Sequence, residues 1–170
     1  PLISQRIITY GEDLLTNGAF EGDFTTVPDG WELYGDATTV RSNERIGRGQ
    51  TIKLTATTGG LKQTIPVGSL AGKTVCWTLV ANGLDGSDPD VGTMIFECDG
   101  TDPSGGGAWA QPYYSSFEAM MPRNHLFFVP ADATELTVKI VAGIGGSGTI
   151  YLDRSSLAEG SFPRDFIAQT

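Results

Sequence analysis

The chain has 170 residues, with 11 basic side chains against 20 acidic ones and a formal net charge of −9. An acidic surface repels phosphate backbones and anionic headgroups, which argues against nucleic acid and membrane as partners. No apolar run approaches the ~20 residues needed to cross a bilayer, and the length suits one domain with a substantial core. Gly (23 residues) and Pro (9 residues) are frequent, which favours short strands joined by tight turns over helices. The start of the chain lacks the basic and apolar regions of a signal peptide.

In chain order, residues 1–13 read as an arm carrying Ile3, Ile7 and Ile8. It is either an edge strand or an attachment to another subunit. Leu14 to Phe20 reads as the first strand, interrupted by the turn signal Asn17-Gly18. Phe20 and Trp31 are too large to leave in water and should anchor one core. Glu21 then stands next to a buried aromatic, where its carboxylate needs a partner such as a cation. A weak strand follows at Ala37–Arg41. Thr51–Thr55 alternates with Ile52 and Leu54 on one face. Gly59-Gly60 should turn the chain into a strand with Leu61, Gln63 and Ile65, stopped by Pro66.

Lys73–Ala81 is the strongest strand: Val75, Trp77 and Leu79 face one way, and Cys76, Thr78 and Val80 the other. Thr93–Cys98 is expected to return as its antiparallel hairpin partner across the acidic loop Asn82–Gly92. That pairing would set Cys76 opposite Cys98, although two small buried thiols are the simpler expectation. Gly105–Ser116 reads as a Gly/Pro loop carrying Trp109, Gln111, Tyr113 and Tyr114. Short strands follow at Leu126–Val129, at Glu135–Ala142 with Leu136, Val138 and Ile140 inward, and at Thr149–Leu152. About nine strands without an amphipathic helix imply an all-β sandwich of two antiparallel sheets.

Leu14, Leu15, Asn17, Gly18, Phe20 and Glu21, followed by Gly30-Trp31, resemble the opening of β-jelly-roll carbohydrate-binding modules found beside xylanases and glucanases. The resemblance continues at Ile52–Leu54, Gln63–Val67 and Gly72–Val75 and ends at Ile150–Asp153. It implies a jelly roll over residues 14–157. It also implies a structural Ca²⁺ between first and last strands, held by Glu21 and Asp153 with backbone carbonyls near Gly18 and Lys53. The alternative for these acids is that Glu21 caps a turn and Asp153 pairs with Arg154 or a lysine. The tail, residues 158–170, resembles the ending E-G-S-F-x-T-S-Y-I-P-T of phage tail and virion surface proteins. Glu159, Gly160, Ser161, Phe162, Phe166 and Ile167 keep that outline, while Arg164, Asp165 and Ala168 depart from it.

Pyranose rings stack their C–H faces on aromatic side chains, and polar groups fix their hydroxyls. Trp77, Trp109, Tyr113 and Tyr114, with Gln111, are therefore the candidate glycan-binding residues, with Asn82 and Arg123 as further hydrogen-bonding groups. Trp77 has a competing reading as core. No catalytic motif is present, and His125 is the only histidine. The acidic loop Asp85–Asp90 lacks the closing Glu of an EF-hand. The expectation is a non-catalytic phage virion structural protein, a capsid decoration or tail component that binds other virion proteins or itself and possibly a polysaccharide. The alternative is a carbohydrate-binding module of a secreted polysaccharide-degrading enzyme, which would place it outside the cell. Ile3, Ile7, Phe162 and Phe166 are the expected assembly contacts.

Overall fold

The computed structural model describes residues 12–22, 25–43, 51–83, 93–101, 108–114, 121–142 and 148–160. The arm, the acidic loop and most of the tail lie outside them. Ten strands are described: β1 (Glu32–Tyr34), β2 (Thr38–Ser42), β3 (Thr51–Ala56), β4 (Gly59–Pro66), β5 (Thr74–Gly83), β6 (Thr93–Thr101), β7 (Ala108–Tyr114), β8 (Met121–Phe128), β9 (Glu135–Ala142) and β10 (Gly148–Glu159). A 3₁₀ turn at Gly68–Leu70 is the one helical element among the described residues. The strands form two five-stranded antiparallel sheets, β1-β4-β9-β6-β7 and β2-β3-β10-β5-β8. This is the all-β, jelly-roll sandwich that the alternating pattern and the resemblance imply.

Period-two patterning supplies the core. Leu61, Met94, Phe96, Leu136, Val138 and Ile140 of the first sheet face Ile52, Leu54, Val75, Trp77, Leu79 and Leu157 of the second, and all are buried. Each such side chain contributes about 1.5–3 kcal/mol when taken out of water. Phe20 and Trp31 join this core with ring centroids 5.1 Å apart, as their size required.

Several local expectations are corrected. Residues 14–20 form successive turns instead of a strand, because Asn17 (φ 49°) and Phe20 (φ 54°) adopt left-handed backbone that breaks an extended run. Gly18 is required for a different reason: a Cβ there would lie 2.1 Å from the Ser155 carbonyl oxygen. Gly59 and Gly60 open β4 and do not turn the chain; the bend lies at Thr57-Thr58. β5 and β6 are not a hairpin. They sit in opposite sheets, so Cys76 and Cys98 are separate buried free thiols. The presumed loop around Trp109 is the edge strand β7, where Pro112 is tolerated because only one side is paired. The last strand is twelve residues long, continuing through a bulge at Asp153.

Three aspartates clasp neighbouring turns. Asp36 accepts the Thr57 and Thr58 amides, Asp99 the Thr134 hydroxyl with the Thr134 and Glu135 amides, and Asp132 the Thr101 hydroxyl and amide. These donors favour the charged form. The Thr134 hydroxyl and the Glu135 amide bring Asp99 down to about 2, and Asp36 and Asp132 are lowered chiefly by the Thr58 amide and the Thr101 hydroxyl. A depressed carboxylate pKa gives stability that is full above the unfolded value of ~3.9 and lost as pH falls toward the folded value. The melting temperature is therefore expected to drop between pH 4 and pH 2. Asp99→Asn should flatten that drop, and an unchanged slope in this variant would show that the clasp contributes nothing.

Candidate functional site

The two outward faces differ in chemistry. On the first sheet, charges pair with one another: Lys62 with Glu32 at 3.1 Å, and Lys139 with Glu97, with the Lys139 ammonium 5.6 Å from the Tyr34 ring centroid. Thr64 and Thr137 share a hydroxyl–hydroxyl bond of 2.8 Å. Burial, then the Glu97 charge, pushes the Tyr34 phenol up to about 12. Among the described residues, the charged groups of this face are met from within it.

The second sheet is different. Its register aligns outward residues in rows across β8, β5 and β10: Asn124, Thr78 and Ser156; then Pro122, Val80 and Arg154; with Asn82, Tyr151 and Lys53 continuing across β5, β10 and β3. Cys76, Thr78, Val80, Asn82, Tyr151, Ser156 and Ala158 all turn away from the core, yet all are buried. They form a buried strip along the middle of the face. Exposed Val40 borders it on β2, and exposed Leu126 and Phe128 border it on β8. Within it the Asn82 side-chain carbonyl oxygen is buried without a hydrogen-bond partner among the described residues, and the Thr78 hydroxyl has only the Cys76 thiol within reach. The Thr78 hydroxyl acts on the Cys76 thiol, lowering a pKa that burial raises by more. The Lys53 ammonium stands 5.6 Å from the Tyr151 ring centroid.

Trp77 is a core residue: it is fully buried, packs 6.1 Å from Phe127, and its indole N–H donates to Ser155 Oγ at 2.8 Å. It cannot offer a face to a sugar. Trp109, Gln111 and Tyr113 stand in register with Cys98, Phe96 and Met94, whereas Tyr114 stands opposite Thr93. Arg123 is paired in register with Leu79, an inward position, and Asn82 lies in the outward strip. His125 packs against Phe127 with ring centroids 4.7 Å apart, and burial lowers its pKa. Thr78, Ser156 and Tyr151 were overlooked, since a strand buried on both faces carries no alternation that marks which face meets a ligand.

Glu21 is exposed, and its backbone is clasped by Asn17: the Glu21 amide donates to Asn17 Oδ1 (2.7 Å) and Asn17 Nδ2 donates to the Glu21 carbonyl (3.0 Å). The Asp153 carboxylate lies 3.1 Å from the Arg154 guanidinium. The Gly18 carbonyl accepts the Ser155 amide at 2.6 Å. Among the described residues no group of three or more His, Cys, Asp or Glu side chains gathers for a metal.

No protein-family profile and no curated protein matches the chain. Solved structures do. The CBM22-1 xylan-binding domain of Paenibacillus barcinonensis Xyn10C superposes with a TM-score of 0.63 at 15% identity, over 91% of this chain and 98% of that one. A family 16 carbohydrate-binding module-2 does so with a TM-score of 0.64 at 15% identity, over 85% and 99%. The enzymatically active domain of tailspike protein 4 of bacteriophage CBA120 matches with a TM-score of 0.58 at 14% identity, over 87% of this chain but 21% of that one. At such identities the likeness is one of fold, and the fold is the β-sandwich that carbohydrate-binding modules share.

Proposed function

We propose that this chain is a non-catalytic glycan-binding module that uses the outward face of its second sheet. The observation that carries the reading is a pair of buried oxygens on that face, Asn82 Oδ1 without a partner among the described residues and Thr78 Oγ1 with only the Cys76 thiol beside it. Leaving such groups unpaired costs about 1–3 kcal/mol each, a cost that a hydroxyl-rich ligand would recover. The surrounding Ser156 and Asn124 are uncharged hydrogen-bonding groups, and exposed Leu126 and Phe128 give the border of the strip an apolar surface for pyranose C–H groups. The fold likeness supports the same class. The non-catalytic part of the reading is supported by the fold likeness to carbohydrate-binding modules. Trp109, Gln111, Tyr113 and Tyr114 stay as a second candidate set along β7.

Stability and retention on immobilised polysaccharides separate a ligand role from a structural one. Thr78→Val and Asn82→Leu are expected to cut retention at least tenfold while leaving the melting temperature unchanged or higher. Retention lost only in Trp109→Ala would move the site to β7. A wild type that no glycan retains ends the reading.

The setting we favour is a virion, as a capsid decoration or tail component. The tail resemblance and the likeness to a tailspike domain support it, while attachment to a secreted polysaccharide-degrading enzyme accords with the fold equally well. Native mass spectrometry of the assembly that contains this chain is expected to find other virion proteins; a polysaccharide hydrolase in that assembly selects the second setting. Calcium competes in this frame with Arg154 for Asp153. We keep Ca²⁺ at Glu21 and Asp153 as a proposal: chelation should lower the melting temperature, and an unchanged midpoint would leave Asp153 to Arg154.

A further inference from the structure

We infer that the C-terminal tail, residues 161–170, packs back over the outward strip of the second sheet as an intramolecular cover. The first observation is the depth of burial in that strip. Ala158 (3% exposed), Cys76 (2%), Thr78 (1%) and Ser156 (1%) are small side chains on the face turned away from the first sheet. No described strand lies on that side. Side chains of this size stand roughly perpendicular to a sheet and cannot shield one another so fully on a bare face. Asn124 and Leu126 on β8, and Thr38 and Val40 on β2, belong to the same face and are exposed. The cover is therefore narrow: it runs along β5 and β10 and stops short of these edge residues.

Position selects the tail as the occupant. The Gly160 amide donates to the Thr74 carbonyl at 3.0 Å, so β10 ends bonded to β5, in line with the strip. The N-terminal arm joins elsewhere, because Leu14 donates to the Leu157 carbonyl on the other edge of β10. Gly160 has a φ of 117°, a conformation that glycine adopts freely and that takes the chain off the line of the strand. Ser161 and Pro163 continue the turn composition. Chemistry agrees with position. The row of the strip nearest Gly160 is apolar, formed by Leu126, Cys76 and Ala158. Phe162, Phe166 and Ile167 are apolar side chains that need such a surface. From Ala158 to Tyr151 the strip is about 23 Å long, and residues 161–170 reach about 33 Å when extended.

A tail docked there occupies the place that the proposed function gives to a glycan, so the two compete. Apparent affinity for the glycan then falls with the fraction of chains whose strip is open, and a segment that holds the tail elsewhere raises it. That consequence rests on the glycan reading; the docking itself does not.

Two native thiols report on the cover separately, since Cys76 lies in the strip and Cys98 in the core. Alkylation of the full chain by iodoacetamide, mapped by peptide mass spectrometry, should be slow at both. Phe162→Ser combined with Phe166→Ser should speed the reaction at Cys76 about tenfold and leave Cys98 unchanged. If both thiols accelerate together, the fold has opened, and Phe162→Cys and Phe166→Cys decide instead. Mild oxidation with diamide should then link one of these cysteines to Cys76 within a single chain, at a rate independent of protein concentration. A wild-type Cys76 that reacts like a free thiol, a Cys76 rate unchanged in the double variant, or a failure of both cysteine variants to link within one chain overturns the proposal. The double variant should also be retained more strongly on a polysaccharide that holds the wild type, and equal retention overturns the competition. If no glycan retains either protein while Cys76 responds as expected, the glycan reading alone falls.

Discussion

Strand β10 holds this protein together because its two edges serve different partners along its length. β5 pairs with it from Ile150 to Glu159, while β3 pairs with its first half, from Gly148 to Leu152. Past the bulge at Asp153 the turn segment takes over that edge: Leu14 donates to the Leu157 carbonyl, Ser155 to the Gly18 carbonyl, and Leu157 to the Asp13 carboxylate. A backbone row that would otherwise be left unpaired is thereby satisfied. The same segment reaches the opposite sheet through Gln63, whose amide exchanges two hydrogen bonds with the Thr16 backbone. One irregular stretch therefore ties both sheets at one end of the sandwich. The steric limit at Gly18 follows from that closeness.

The bulge also has a consequence for the outward face. It advances the register by one residue, so that Arg154 stands opposite Val80 and Ser156 opposite Thr78. Without it Ser155 would stand opposite Thr78 and Ser156 would turn inward, because a one-residue slip turns every later side chain to the other face. As it is, Ser155 faces inward and receives the Trp77 indole N–H. A buried Trp with its donor satisfied is a core anchor.

The contrast between the two outward faces is an electrostatic one. Ion pairs on the first sheet are partly exposed and contribute little to stability, but they leave few groups on that face for a partner. The second sheet buries uncharged polar atoms that its own strands do not satisfy.

Sequence alone determined the inward half of the protein. Ile52 and Leu54, Leu61, Val75 with Trp77 and Leu79, and Leu136 with Val138 and Ile140 all occupy the core they were expected to occupy, because burial follows a local period of two. The need of Phe20 and Trp31 for one another followed from their size alone. Tertiary structure decided which strands are neighbours: β5 and β6 are consecutive yet lie in opposite sheets, which separates Cys76 from Cys98. It also decided that Trp109 sits on a strand, that β10 continues past Asp153, and that Thr78 and Asn82 lie in a buried outward strip. None of these is encoded in local periodicity. Pairing, register and the burial of a second face depend on contacts between residues far apart in the chain, and those exist only once both sheets have closed.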